Sequence, residues 1–359
     1  MTNTFKYTNI NQIPSLTWNW LKMNRATLEI ARDENVCEFN VRNLTDDVLF
    51  TKDGTQIKKS LPEMKSGIGS DAQKILSDFN VVPSAFVLKA GKKIAPIVFE
   101  FDATAQKSSL SEQIFVAEEN SNLNVIFVYS SQKNAGGFFG TQTKIWVKQN
   151  AKVHVAKVNL LGDNFTRFDE TLFFCEDGAK AEISQIELGG KRNFVAQSTI
   201  LQGFNSSFKS DSAYHTKNDQ LLDMNYVVLH KGEKTDTQII AKGVMADEST
   251  KIYRGTIDFE RGCEGATGNE QEETLLLSPA VVNKSLPVLL CNEEDVSGTH
   301  GATIGKIGED ELFYMQSRGI GKSQAEKILS QAKILEVSHK IDDEKTQKSI
   351  LDFLGILDE

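Results

Sequence analysis

The chain of 359 residues has few prolines and no closely spaced cysteines. Only 6 residues are proline, well under the average of about 5%, which is typical of long uninterrupted elements. Even the two closest cysteines are 28 positions apart, so a zinc or redox site built from neighbouring cysteines is excluded. We expect most of these thiols to be buried as small hydrophobic residues; they are Cys37, Cys175, Cys263 and Cys291.

An excess of positive charge is also lacking, because 40 Lys and Arg stand against 49 Asp and Glu, which gives a net charge of −9. Proteins that bind phosphate backbones need a basic surface, so a nucleic-acid partner is not expected. No stretch has the roughly 18 consecutive apolar residues of a membrane span, and the start MTNTFKYTNI does not resemble a secretory signal. We therefore expect a cytoplasmic protein with no membrane partner.

The residues that are present, 40% hydrophobic and 25% charged, are typical of a folded globular protein. Three regions of the sequence differ in their hydrophobic pattern. Residues 1–93 are mixed and partly helical in character, residues 94–304 are mainly β, and residues 305–359 are helical. We therefore predict three domains with these boundaries.

Short strand-like segments follow one another through residues 94–304, with alternating apolar and polar residues and polar turns between them. The turns at 150–153 and 178–181 are similar and 28 positions apart, which is close to one rung of a solenoid. This spacing favours a parallel β-helix, in which the 21 Phe side chains would stack without polar partners. A β-sandwich would satisfy the alternation equally well and stays the competing fold.

After residue 305 the hydrophobic periodicity becomes helical. The acids of segment 308–315 lie in a first turn, where the helix dipole favours them, and the glycine after Arg318 ends this helix. A second helix is predicted to begin after Ser323, with Glu326 completing a capping box. A third helix is predicted over residues 345–357.

No complete catalytic motif is present. The segment 319–323 resembles the end of a phosphate-binding loop, but Gln316 stands where that motif requires glycine. Among the five histidines His300 is distinctive, because it lies in a polar, glycine-containing strand end where the β region meets the helices. Adjacent acids such as Glu293 and Glu294 would suit glycoside hydrolysis on a β-helix, but they are explained more simply as solvated surface.

The residues around and after His300 resemble the SufB/SufD family of iron–sulfur cluster assembly proteins. The matching segments are Asp295-Val296, His300-Gly301-Ala302-Thr303-Ile304-Gly305, Glu309-Asp310-Glu311-Leu312-Phe313-Tyr314, Ser317-Arg318-Gly319-Ile320 and the start Phe5-Lys6-Tyr7-Thr8. A long block with fixed spacing is more specific than a single glycine motif. The resemblance implies a right-handed parallel β-helix core flanked by a mixed N-terminal segment and a helical C-terminal segment.

Two departures from SufB favour the SufD branch of the family. SufB usually has glutamate after the motif histidine, where this chain has Gly301, and it carries an assembly cysteine at a position occupied here by Val281. Many SufD proteins have a cysteine two residues before the histidine, and this chain has Gly298 there. Cys291 is the nearby thiol and a weaker candidate ligand than His300.

The resemblance further implies a cytoplasmic complex with a SufB-like subunit and the ABC-type ATPase SufC. The last β-helix strands would pair with the SufB-like subunit, and a nascent cluster or iron would bind His300 near that interface. Neutral imidazole can ligate iron but thiolates dominate iron–sulfur sites, so the other ligands would come from the partner, and this chain alone is not expected to hold a stable cluster. The region expected to dock SufC comprises Glu309, Asp310, Leu312, Phe313, Tyr314, Arg318 and Gly319.

Three functional hypotheses stay open at this point. The first is a non-enzymatic, SufD-like scaffold subunit that couples the ATP-driven motion of SufC to cluster formation at His300. The second is a SufB-type paralogue that acts as a homodimer with SufC alone; an isolated homodimer is also possible for the first. The third is a β-helix enzyme acting on polysaccharide, which would need a carboxylate or basic cluster along one face of the solenoid.

Overall fold

The computed structural model of the chain describes residues 4–31, 39–103 and 109–356. Its strands are β1 (Thr4–Ile10), β2 (Ala26–Ala31), β3 (Asn40–Arg42), β4 (Val48–Thr51), β5 (Ser84–Leu88), β6 (Ile97–Asp102), β7 (Ser109–Ala117), β8 (Asn122–Ser130), β9 (Gly136–Val147), β10 (Lys152–Leu160), β11 (Asn164–Cys175), β12 (Lys180–Glu187), β13 (Arg192–Leu201), β14 (Ser207–Thr216), β15 (Leu221–His230), β16 (Asp236–Met245), β17 (Thr250–Phe259), β18 (Ala266–Leu276), β19 (Val282–Cys291) and β20 (Val296–Gly305). Its helices are α1 (Thr55–Ser60), α2 (Asp71–Asp78), α3 (Glu309–Ser317), α4 (Lys322–Ser338) and α5 (Glu344–Phe353), with a 3-10 helix at Asn19–Leu21.

The strands form a β-solenoid of about seven turns. Even-numbered strands from β6 to β20 lie in one sheet and odd-numbered strands from β5 to β19 in another, and each pairs in parallel with the strand two positions away in sequence. Each sheet has nine strands, because β3 and β4 add in antiparallel fashion at the early end. The predicted parallel β-helix is therefore confirmed, and the β-sandwich alternative is wrong.

The recurring turns occupy the same corner on successive rungs. Asn150, Gly178 and Asn205 all adopt the left-handed conformation, with φ of 56°, 64° and 55°. The amide of Asn150 donates to the carbonyl of Asp177 (2.9 Å), and the amide of Gly178 donates to that of Phe204 (2.8 Å), so each corner is bonded to the next. Short polar residues and glycine tolerate this conformation, which explains the repeat that is visible in the sequence.

The solenoid interior is aromatic at its early end and ionic in the middle. Phenylalanines of successive rungs stack there, with ring centroids 5.0 Å apart for Phe86 and Phe115 and 5.1 Å apart for Phe99 and Phe127. In the middle, Arg167 bonds Asp169 and Glu187, Lys157 also contacts Asp169, and all four side chains are buried. Paired in this way, the charges avoid the cost of burying an isolated ion.

Both outer faces of the solenoid are partly covered. The β1–β2 hairpin and α2 share a hydrophobic cluster with the outward side chains of the odd-numbered sheet, including Phe168 and Phe194. On the even-numbered sheet, α4 and α5 bury Ile334, Val337 and Ile350 against outward residues of the strands. The helices are thus held by apolar packing rather than by the short connection after β20.

The helix boundaries differ in part from those predicted. The end of α3 agrees with expectation, since Ser317 is its last residue, Arg318 is the C-cap and Gly319 follows with φ of 85°. The predicted capping box is wrong, because α4 starts at Lys322 with Gly321 as its N-cap and no side-chain capping bond. The third helix ends at Phe353 rather than at 357, and residue 357 lies outside the described residues.

The predicted division into residues 1–93, 94–304 and 305–359 stays a prediction. In the structure, β5 already pairs in parallel with β7, so the regular sheets include residues before position 94.

None of the described helices is long and apolar enough to cross a bilayer.

Candidate functional site at the open end of the solenoid

The two ends of the solenoid differ. At the early end, the terminal strands β3 and β4 are antiparallel to their neighbours and only 3 and 4 residues long, whereas β19 and β20 at the late end are parallel to theirs and 10 residues long each. The strand β15 is buried along nearly its whole length, but no residue of β19 or β20 is buried. An unpaired edge of this length presents a row of free backbone donors and acceptors, which is a template for pairing with another chain.

His300 lies on the terminal strand β20 and faces along the inside of the solenoid. Its register partner on β18 is Glu270, which is buried, and its neighbour two residues back is Gly298. A Cβ at Gly298 would lie 3.4 Å from Leu289 and 3.0 Å from Phe259, both of which pack in the interior. Residues two apart share a face, so His300 occupies an interior position that is exposed only because no further rung covers it.

The rung below His300 forms a polar floor. The Lys251 ammonium contacts the Glu272 carboxylate, and the Ser285 hydroxyl donates to the same carboxylate. Burial lowers the pKa of Lys251, while the adjacent carboxylate favours its charged form. Gly255 leaves the space that the Glu270 carboxyl fills, since a Cβ there would overlap it. The Glu270 carboxyl therefore lies directly under the exposed imidazole, and the Lys251–Glu272 pair lies under the next interior position of β20.

Burial raises the pKa of Glu270 to about 7, and the nearby Tyr253 hydroxyl opposes this shift. Between the usual value of 4.5 and about 7, the folded chain holds a proton that the unfolded chain has released. Because the folded state binds this proton more tightly, Glu270 contributes to the folding free energy. That contribution is fully present below pH 4.5 and is lost as the pH rises through about 7.

We expect Glu270→Gln to remove that pH dependence, because the amide stays neutral. Relative to the wild type, the variant should be more stable at about pH 8 than at about pH 5 by on the order of 3 kcal/mol. Urea unfolding at several pH values measures the difference. Glu264→Gln, at an exposed position, serves as the matched control. An identical dependence of stability on pH in both variants would contradict the raised pKa of Glu270.

Cys291 also lies at the open end, at the last position of β19, where it is exposed and its Sγ lies 3.1 Å from the carbonyl of Glu293. The turn after it leads directly into Val296, whereas Leu289 faces Gly298. Four residues of strand, about 13 Å, therefore separate the position opposite Cys291 from His300. The structure does not bring the two predicted ligands together.

No three His, Cys, Asp or Glu side chains of the described residues are arranged to hold a metal ion. Cys175 and Cys263 are buried, in agreement with the expectation for scattered thiols. Burial and the nearby Glu293 carboxylate raise the pKa of the Cys263 thiol, and Cys291 adds a smaller effect in the same direction. The fourth cysteine, Cys37, lies outside the described residues.

The predicted docking region for the ATPase falls on α3 and the turn that follows it. None of the nine residues of α3 is buried. Phe313 and Tyr314 are 74% and 60% exposed, and the Arg318 guanidinium stacks 5.3 Å from the Tyr314 ring. Of the other predicted residues, Glu309, Asp310 and Gly319 are exposed and Leu312 is half-buried. This set forms an aromatic and acidic surface beside the open end.

Comparison of the sequence with known protein families identifies the family to which the chain belongs. The family model described as the SUF system FeS cluster assembly SufBD core domain matches residues 100–333. The chain belongs to the SufBD core family. The match covers every strand from β7 to β20 as well as α3, so it includes His300, Cys291 and the polar floor of this SufBD-family site.

Relatives of this SufBD-family chain come from a plant and from bacteria. The chloroplastic iron–sulfur cluster assembly SufBD family protein ABCI8 of Arabidopsis thaliana is 30% identical over 168 residues, 47% of this chain and 30% of that protein. SufD of Bacillus subtilis is 23% identical over 343 residues, 90% of this chain and 78% of that protein. SufD of Escherichia coli is 26% identical over 240 residues, 66% of this chain and 56% of that protein. The predicted resemblance to this family, and to SufD within it, is confirmed.

The polar floor was not found from the sequence. Its residues are charged types that are usually found on protein surfaces, namely Lys251, Glu270 and Glu272. Their inward orientation depends on the register between neighbouring rungs. The spacing of 30 positions between Glu270 and His300, close to the spacing of the repeated turns, is the signal that would have located them.

Proposed function

We propose that this chain is a SufD-like, non-enzymatic scaffold subunit of a cytoplasmic SUF complex. Its open solenoid end would pair with a SufB-like subunit, and His300 would bind iron or the nascent cluster, which is the cargo of the complex. The observation that carries this proposal is the asymmetry of the solenoid: its early end finishes in two short antiparallel strands, and its late end presents two ten-residue edge strands with a histidine in an interior position.

The donor set of the open end supports a shared site rather than a complete one. His300 supplies one imidazole, and Cys291 lies on the opposite sheet, displaced from it by about 13 Å along the strands. A cluster needs several ligands, usually thiolates, so a partner chain would supply the others. In the proposed complex His300 becomes enclosed when another rung covers β20, which would exclude water from the bound iron.

The SufB-type homodimeric paralogue remains the second candidate. Gly301 follows the histidine, and two of the relatives described above are named SufD, which favours the first proposal. The hypothesis of a polysaccharide-active enzyme is no longer supported, because the family model that matches this chain describes iron–sulfur cluster assembly.

Docking of a SufC-like ABC ATPase is proposed to use α3. Because α4 and α5 share a hydrophobic cluster with the even-numbered sheet, point substitutions in α3 are a cleaner test than deleting the helices. We expect the double change Phe313→Ala and Tyr314→Ala to weaken ATPase binding by about tenfold or more, since exposed aromatic side chains dominate many interfaces.

Titration calorimetry of the full chain with its ATPase measures this effect. Phe353→Ala, at a partly exposed aromatic residue on α5, is the control and should bind like the wild type. Unchanged affinity for the α3 double variant, with an unchanged melting temperature, would rule out this docking surface.

A further inference from the structure

Three large apolar side chains are displayed close together in the segment between β1 and β2. Leu16, Trp18 and Trp20 are 68%, 72% and 74% exposed. Two of the three tryptophans of the chain are therefore on the surface, although tryptophan is usually well buried. An exposed apolar cluster of this size is typical of an interaction site.

The segment that carries these side chains is held in place. The Asn24 side chain accepts from the amide of Thr17 (2.8 Å) and donates to the Thr17 carbonyl (2.8 Å), which closes the loop. Ile13 and Met23 at its two ends are buried. The aromatic side chains therefore project from a pinned loop, which reduces the entropy lost when they bind a partner.

The loop lies against the open end of the solenoid. The Lys284 ammonium on the terminal strand β19 donates to the Leu21 carbonyl at 3.0 Å. The Arg254 guanidinium, on the adjacent strand β17, donates to the Met23 carbonyl and is paired with Asp223. The loop that carries Trp18 and Trp20 is thus attached to the outer face of the last two rungs of the odd-numbered sheet.

The end face formed by β19 and β20 is small for a stable interface, which gives a reason for an additional contact surface beside it. Two strands of ten residues are about 33 Å long and lie about 10 Å apart, so with their outward side chains they supply on the order of 600 Å². A stable interface usually needs about 800 Å² from each partner. Each tryptophan contributes about 150–250 Å² when buried, which makes up the difference.

We infer that Leu16, Trp18 and Trp20 form a second contact surface for the subunit that pairs with β19 and β20, packing against apolar side chains on the flank of that subunit's own terminal strand. The inference rests on the proposed SufB-like partner at the solenoid end and adds to it a specificity element on the outer face. Backbone pairing is common to all strand edges, so an aromatic flank discriminates between partners.

The test uses the full chain and the SufB-like subunit from the same genome. The double change Trp18→Ser and Trp20→Ser should weaken their binding at least tenfold while the melting temperature stays within a degree or two, because both side chains are exposed. Phe204→Ser, at an exposed aromatic away from β19 and β20, is the matched control and should bind normally. In a 5-fluorotryptophan-labelled chain, the ¹⁹F resonances of Trp18 and Trp20 should shift on adding the partner, and that of Trp146 should not.

The outcomes separate this inference from the proposed function. Ala302→Glu introduces a charge at the end face itself, so weakened binding in that variant with normal binding in the tryptophan double variant would overturn the inference alone. Normal binding in both variants would remove the end face as the interface. An effect of the tryptophan changes only on self-association of the isolated chain, measured by sedimentation, would also overturn the inference.

Discussion

His300→Ala is expected to reduce cluster formation on the assembled complex by about tenfold or more while leaving the subunit folded. The imidazole is exposed and makes no packing contact that the fold requires, so its removal should change the unfolding free energy by less than about 0.5 kcal/mol. Assembly should also survive, because the strand edges rather than this side chain supply the pairing surface. Cluster formation is followed by its absorbance under anaerobic conditions.

His339→Ala is the control for that experiment, since this second exposed histidine lies at the end of α4, outside the open end. It should form clusters at the wild-type rate. Normal cluster formation in the His300 variant would remove the assigned role, and loss of assembly in that variant would show that the side chain is structural.

Ala302→Glu is expected to weaken pairing with the SufB-like subunit by about a hundredfold. Ala302 occupies an interior position on β20 above Glu272, and it is exposed in the isolated chain. Pairing would bury the new carboxylate next to Glu272, which already occupies the neighbouring Lys251 ammonium, so the added charge has no counter-ion of its own, and an uncompensated buried charge costs several kcal/mol.

Gln271→Glu provides the matched control, because it adds the same charge at an exposed position facing outward on β18. Binding measured by biolayer interferometry should be unaffected in this variant. Equal binding by both variants would contradict the assignment of the open end as the pairing surface.

The solenoid could be predicted because its corners are local. Each corner needs residues that tolerate a left-handed conformation, and the repeat of Asn150 and Gly178 at 28 positions shows directly in the sequence. The antiparallel strands β3 and β4 could not be predicted, because a pairing that ends a regular sheet depends on long-range packing rather than on a periodic signal.

The helix starts were less predictable than the helices. Ser323 and Glu326 have the spacing of a capping box, but Gly321 takes the N-cap position and α4 begins one residue before Ser323. A capping motif describes a local preference, whereas the packing of Ile334 and Val337 on the sheet determines how α4 is placed.

The candidate site was predictable only at the residue that carries the family resemblance. His300 stands in a recognisable segment, and the structure places it on an unpaired edge. The floor formed by Lys251, Glu270 and Glu272 depends on which residues of neighbouring rungs face inward, and the exposed loop of Trp18 depends on contacts from residues more than 200 positions away. Such contacts leave no local pattern.

The most direct test of the account is purification of the tagged chain from a native extract of its own organism, followed by analysis of the proteins that accompany it. We predict a stable complex containing an ABC-type ATPase and a SufB-like subunit with an assembly cysteine. Recovery of a self-dimer with the ATPase alone would support the homodimeric paralogue instead, and recovery of the chain with neither protein would contradict its assignment as a SUF scaffold subunit.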